Sequence, residues 1–251
     1  MKKLLYLLLT ILILSGCNEA DKQLPDDSSP VDSSIENAAT TNYELYENIL
    51  NTYSKITALP TSDEYTAEVQ SLTSNLINTE CPDWQIESHF AEWRMSNLSN
   101  IGYVYKDINN DNIDELIIGF SHDEKTAAYI ISIYSQSDEM VYLLGCGWSR
   151  FQYYVGTDGY IYSSGSGGAS ISSYEKMRIL GNERLICTEN LRYEYIDESS
   201  SPWYYSPTGK LLSCDKSTAI AETAAKTILD SYREQYITYE LETLYNYLHK
   251  P

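Results

Sequence analysis

The chain has 251 residues, 36 Asp and Glu against 17 Lys and Arg, a formal net charge of −19, and 24 Tyr against 3 Phe. A polyanion of this size is repelled by nucleic-acid phosphates, and its only basic block is Lys2-Lys3, so nucleic-acid binding is excluded. With 43% apolar residues the chain can fill a core, which rules out disorder along its whole length.

The chain opens with a basic start, Met1-Lys2-Lys3, followed by an apolar run from Leu4 to Leu14. A hydrocarbon core of about 30 Å needs roughly 20 apolar residues in a helix, so this run reads as the core of a signal peptide at residues 1–16. Leu14-Ser15-Gly16-Cys17 follows directly. The segment resembles the leader and lipobox of bacterial lipoproteins of the Gram-positive type. The resemblance implies that Cys17 is acylated (palmitate is the expected chain type) and becomes the first residue of the mature protein. Two or more acyl chains anchor a protein stably where one does not. The expected location is then the extracytoplasmic face of the cell membrane, with the membrane as partner through the lipid. An ordinary secretory leader with a coincidental cysteine is the alternative.

Residues 17–41 carry Asp21, Asp26, Asp27 and Asp32, paired serines, two prolines and almost no large apolar side chain. Such a stretch cannot bury enough surface to offset its ordering entropy and reads as a flexible acidic tether. As a coil of about 24 residues it would reach roughly 25–30 Å. Loss of the leader removes Lys2 and Lys3, two of the 17 basic residues, and takes the charge from −19 to −21. A polyanion held near an anionic membrane needs cations.

Residues 42–251 are expected to form one α+β domain: N-terminal helices, an antiparallel β-meander and a C-terminal helix. Tyr43, Tyr46, Ile49, Leu50, Tyr53 and Ile56 fall at helical spacing until Pro60. Ser62-Asp63-Glu64 looks like a capped start for a second helix carrying Tyr65, Val69, Leu72, Leu76 and Ile77 up to Thr79-Glu80-Cys81-Pro82. Asp83 to Leu98 is less regular and reads as a short helix. β-Branched and aromatic runs then predict strands over Ile101–Tyr105, Glu115–Phe120, Ala128–Ser135, Met140–Leu144, Arg150–Val155, Tyr160–Ser163, Ser170–Leu180 and Arg184–Tyr195. Thr157-Asp158-Gly159-Tyr160 carries a two-residue hairpin signal, and no parallel crossover is needed. Ser163 to Gly168 reads as a loop, and without a following Lys or helix it lacks the context of a phosphate loop. Lys216 to Glu234 returns to helical spacing, with Ile220, Ala224, Ile228, Leu229 and Tyr232 on one side. Tyr236 to Leu248 fits a helix or an extended packing arm.

One constellation carries chemistry. Asp107-Ile108-Asn109-Asn110-Asp111-Asn112-Ile113-Asp114-Glu115 places oxygen-bearing side chains at positions 1, 3, 5, 8 and 9. Ca²⁺ takes six to eight oxygens at about 2.3–2.6 Å, and alternate side chains on a tight loop can converge on such an ion. Asp107, Asn109 and Asp111 form the candidate triad, Ile113 offers its carbonyl, and Glu115 closes the shell directly or through water. Position 6 needs a sharp, left-handed turn, and Asn112 is a tolerable substitute for Gly there. The segment resembles the D-x-[DN]-x-D-x-x-x-[DE]-L loops of FG-GAP and dockerin-like modules, over about ten residues. It departs from a full EF-hand because position 12 is Ile118 and both flanks look like strands, so a β-hairpin loop with structural calcium at about 10⁻⁴–10⁻³ M is expected. The bland alternative is an Asn/Asp-rich turn without metal.

His89, His122 and His249 are scattered outside any zinc signature, and neither a G-x-S-x-G nor an S-x-x-K motif is present. Cys81, Cys146, Cys187 and Cys214 allow three full disulfide pairings or remain thiols. Tyr153, Tyr154, Tyr160, Tyr162, Trp203, Tyr204 and Tyr205 either pack a wet sheet or offer aromatic faces to a sugar or peptide. The functional expectation is a monomeric, non-enzymatic binding or structural module stabilised by calcium. The alternatives are a cell-envelope enzyme acting on glycans through carboxylates, and a lipoprotein docking a protein or glycan partner through an aromatic face.

Overall fold

A computed structural model describes residues 40–59, 65–73, 100–120, 129–148, 150–197, 201–210 and 218–249. The expectations for the leader, Cys17, most of the tether, the Ser62–Glu64 cap, Leu76, Ile77, Asp83–Leu98, Cys81, Cys214, Lys216, His89 and His122 lie outside the described residues.

The first helix, α1 (Glu44–Ala58), buries Tyr46, Ile49, Leu50, Tyr53 and Ile56, the stripe that the three-and-four spacing places on one face. Glu44 and Glu47 in the first turn and Lys55 in the last complement the helix dipole. Leu59 turns extended, as the residue before a proline must. Each buried aliphatic or aromatic side chain contributes about 1.5–3 kcal/mol, so this stripe holds α1 to the sheet more firmly than any cap does. A second helix, α2 (Tyr65–Thr73), follows and places Val69 in the same core.

The strands β1 (Ile101–Lys106), β2 (Glu115–Phe120), β3 (Tyr129–Ser137) and β4 (Met140–Cys146) pair in chain order as an antiparallel sheet A. Five more, β5 (Phe151–Val155), β6 (Ile161–Ser166), β7 (Ile171–Leu180), β8 (Arg184–Glu194) and β9 (Trp203–Ser206), continue the meander in sheet B, which β10 (Ala219–Ile220) extends. The fold class is α+β, with every pairing antiparallel and helices at both ends. One meander therefore becomes two sheets, broken after β4. Gly147 sits at the break: a Cβ there would lie 2.2 Å from the Ile130 carbonyl oxygen, so only glycine lets the chain turn so close to β3.

Helix α3 (Glu222–Arg233), a two-residue strand β11 (Glu242–Thr243) and helix α4 (Leu244–Leu248) complete the fold. Helix α3 buries Ala225, Leu229 and Tyr232, so its inner alanine is Ala225 and not Ala224. Tyr236 to Leu248 is an extended arm first and a helix only at its end: β11 pairs with β1, and α4 packs Leu244 beneath α1.

The packing is layered. Leu116, Ile118, Phe120, Ile131 and Tyr134 face α1, whereas Ile117, Ile130 and Ile133 point the other way onto Val155, Ile161, Met177 and Ile179 of sheet B. Sheet A is thus covered on both sides, which explains the unbroken burial of β2. On β7 the residues alternating with Met177 and Ile179 include Tyr174 and Lys176, and on that opposite face Tyr162 meets Tyr232 of α3.

Two local readings are corrected. Ser163–Ser166 belong to β6, and the loop is confined to Gly167–Ser170. The β5–β6 turn has three residues, Thr157–Gly159, closed by the Gly156 N–H donating to Tyr160 O at 2.8 Å, with Gly159 at φ +79°. A left-handed third residue is what a three-residue hairpin requires, and the Asp-Gly pair satisfies it as well as it satisfies a two-residue turn.

Candidate metal centre

The β1–β2 connection is the Asp107–Asp114 loop. Its backbone takes two left-handed residues, Asn110 at φ 61° and Asn112 at φ 69°, both of a type whose short polar side chain tolerates that conformation. Asn112 thus has the turn demanded at position 6. Asp107 sits at the hub: its carboxylate accepts from the Asp111 N–H at 3.2 Å and from the Asn112 N–H at 3.0 Å. Asp111 in turn accepts from the Ile113 N–H at 2.9 Å and from Asn109 Nδ2 at 3.0 Å.

Asn109 is held by both of its amide protons, since Nδ2 also donates to Asn182 Oδ1 at 3.2 Å. Asn182 belongs to the β7–β8 turn, is 7% exposed and has φ 59°. With Nδ2 committed to two acceptors, the orientation of the amide is set, and among the described residues the buried Asn109 Oδ1 has no donor. An unsatisfied buried acceptor costs about 1–3 kcal/mol unless a donor or a cation takes its lone pairs. This oxygen belongs to position 3 of the candidate triad.

Glu115, the first residue of β2, is wholly buried. Its Oε2 accepts from the Ile108 N–H at 2.9 Å and its Oε1 from Ser135 Oγ at 2.9 Å. Burial pushes its carboxyl up to about 8; the two hydrogen bonds oppose that rise, and the charges of Asp111 and Asp107 add to it.

Asp114 faces the N-terminal segment. Its N–H donates to Thr41 Oγ1 at 2.6 Å, its carbonyl accepts from Tyr46 OH at 2.9 Å, and its carboxylate accepts from Tyr43 OH. The bond to Asp114 holds the Tyr43 hydroxyl above its ordinary range. Thr41, Tyr43, Tyr46, Ser135 and Asn182 were not legible as parts of this site, because each reaches it across 20 or more positions of sequence.

Among the described residues, no Lys or Arg forms an ion pair with the loop carboxylates. Nor do three or more His, Cys, Asp or Glu side chains there gather as a metal-ligand group. The side chains of Asn109 and Asp111 are joined through the Asn109 amide N–H, and Asp107 reaches Asp111 through the Asp111 backbone N–H. Carboxylate and carboxamide oxygens at positions 1, 3 and 5 are donors of the kind that a hard cation of the calcium type takes, unlike the sulfur and imidazole donors favoured by zinc and copper.

The aromatic residues do not share one face. Tyr162 and Tyr204 are buried at 1% and 5% exposure, Tyr154 stacks on Tyr236 at 4.2 Å, and Tyr205 OH donates to Glu189 at 2.7 Å. Tyr153 packs towards sheet A. Cys187 is a half-buried free thiol donating to Glu189 O at 3.1 Å, so Cys146 and Cys187 are not joined. Burial pushes the Cys187 thiol up to about 11, which keeps it protonated and unreactive at neutral pH. No protein-family description, curated protein or solved structure matches the chain.

Proposed function

We propose that the chain is an extracytoplasmic lipoprotein, anchored through Cys17, whose folded body is a non-enzymatic binding or structural module with a calcium ion in its Asp107–Glu115 loop. Anchoring is supported by the order of basic start, apolar run and Leu14–Cys17 box. The calcium reading is carried by Asn109 Oδ1, a buried acceptor on a side chain bonded to Asp111; among the described residues it has no donor, and the Asp107 and Asp111 carboxylates have no Lys or Arg partner. Asp107, Asn109 and Asp111 would supply side-chain oxygens, Ile113 its carbonyl, and Glu115 a closing oxygen, direct or through water. The ion supplies charge: it screens carboxylates that otherwise repel one another and gives Asn109 Oδ1 a partner.

Thermal melting in 10 mM calcium against chelator tests the ion. With affinity at about 10⁻⁴–10⁻³ M, calcium stabilises the fold by roughly 1.4–2.7 kcal/mol, and Asp107→Ala abolishes that increment. An unchanged midpoint in the unsubstituted protein would sink the reading. Membrane fractionation tests the anchor: the natural chain pellets with membranes, and Cys17→Ser releases it. A Cys17→Ser chain that still pellets would remove the lipid from the account.

A further inference from the structure

One peptide group stands between the loop and the start of the fold. The carbonyl of the Ile113–Asp114 peptide is the main-chain ligand in the calcium reading, and the N–H of the same peptide donates to Thr41 Oγ1 at 2.6 Å. A trans peptide is a rigid plane with its C=O and N–H directed oppositely, so fixing one end aims the other. A carbonyl polarised by a cation also makes its own N–H a stronger donor. The following carbonyl, Asp114 O, accepts from Tyr46 OH at 2.9 Å, and the Asp114 carboxylate accepts from Tyr43 OH. The Asn42 N–H donates to Gln136 Oε1 at 2.9 Å, which ties the same short segment to β3.

We propose that cation binding at the loop locks residues Thr41 to Tyr43 onto Asp114 and that loss of the cation frees them. This coupling rests on the calcium reading. Without the ion, the Ile113 carbonyl has no ligand to hold it and the loop carboxylates repel, so the peptide plane tilts and Thr41 loses its donor. Helix α1 stays in place, because Ile49, Leu50, Tyr53 and Ile56 are at most 3% exposed and owe nothing to the loop. The release is therefore confined to the point where the preceding chain joins the body.

Hydrogen exchange on the full chain, with and without calcium, reads this directly, and calorimetry on the same samples reads calcium binding. The amides to follow are Asn42, Glu44, Leu45 and Tyr46, which bond within the docked segment or to Gln136. Calcium slows their exchange roughly fivefold. Because coupling is reciprocal, Thr41→Val weakens calcium binding by the same factor while the rest of the exchange pattern is unchanged. Tyr43→Phe, which keeps the ring, weakens it less. If calcium binds with equal affinity to the natural chain and to Thr41→Val, and the four amides do not respond, the coupling is overturned and the calcium site stands. If calcium does not bind at all, both fall.

Discussion

Two acidic turns lie side by side at one end of the sheets and solve the same electrostatic problem differently. The β5–β6 turn packs Gly159 against the β1–β2 loop, close to the Ile108 carbonyl. Its one carboxylate, Asp158, has a cation built in: Lys176 Nζ lies 3.0 Å away, over the Tyr160 ring at 4.1 Å, and Tyr162 OH donates to the same oxygen at 2.7 Å. Partial burial pushes Asp158 up, but the bonds from Tyr162 and Lys176 and the ammonium charge outweigh it and hold the carboxyl below its ordinary range. The β1–β2 loop has Asp107, Asp111, Asp114 and Glu115 within nine residues and, among the described residues, no such lysine. It satisfies its three aspartates with N–H groups and a hydroxyl, which donate hydrogen bonds but cancel no net charge. Charge that the chain leaves uncancelled beside an orphaned acceptor is what a soluble cation can neutralise, and this difference singles out one turn and not the other.

The largest effect expected from breaking the comparison is at Asp107. Asp107→Ala removes the acceptor of two backbone amides at once, about 2 kcal/mol or more, read as a fall in the urea midpoint in chelator, and it also abolishes the calcium increment. Next is Lys176→Met, which strips the second turn of its cation. The ion pair and the ring contact together are worth about 1 kcal/mol. Calcium does not restore the loss, since a single carboxylate without ligand spacing forms no site. A full rescue of Lys176→Met by calcium would reduce the first loop to general charge screening.

A smaller, pH-dependent effect is expected at Glu175, the neighbour of Lys176 on β7. Burial holds it above its ordinary value, against hydrogen bonds donated by Ser163 Oγ and Asn190 Nδ2. A carboxyl raised in the folded state favours folding while protonated, so its contribution is intact below about pH 4.5 and is lost as pH rises through the folded value. Glu175→Gln, neutral throughout and able to keep both bonds, should raise the melting temperature at pH 7–8 and leave it unchanged near pH 4. Melting curves at the two pH values check the sign.

Local patterns were legible where the period is local. The α1 stripe and eight of the strands follow from three-and-four spacing or alternation, and their ends fall within a few residues of those expected. The strands β9, β10 and β11 were not legible, because four, two and two residues are too short to show a period. For Trp203–Tyr205 sheet packing and an aromatic surface face were both open from the sequence; pairing with β8 buries Tyr204 on one face and packs Trp203 and Tyr205 around Leu191 and α3 on the other.

By itself the sequence determined the α+β class, the antiparallel order, the acidic charge and the oxygen spacing of Asp107, Asn109 and Asp111, all of which depend on neighbours within a few positions. Only the tertiary structure decided the rest. The meander splits where Gly147 meets Ile130, Asn182 orients Asn109, Lys176 neutralises Asp158, and Thr41, Tyr43 and Tyr46 converge on Asp114. These are meetings of residues distant along the chain, and a hydrogen bond or an ion pair across such a gap leaves no period to read.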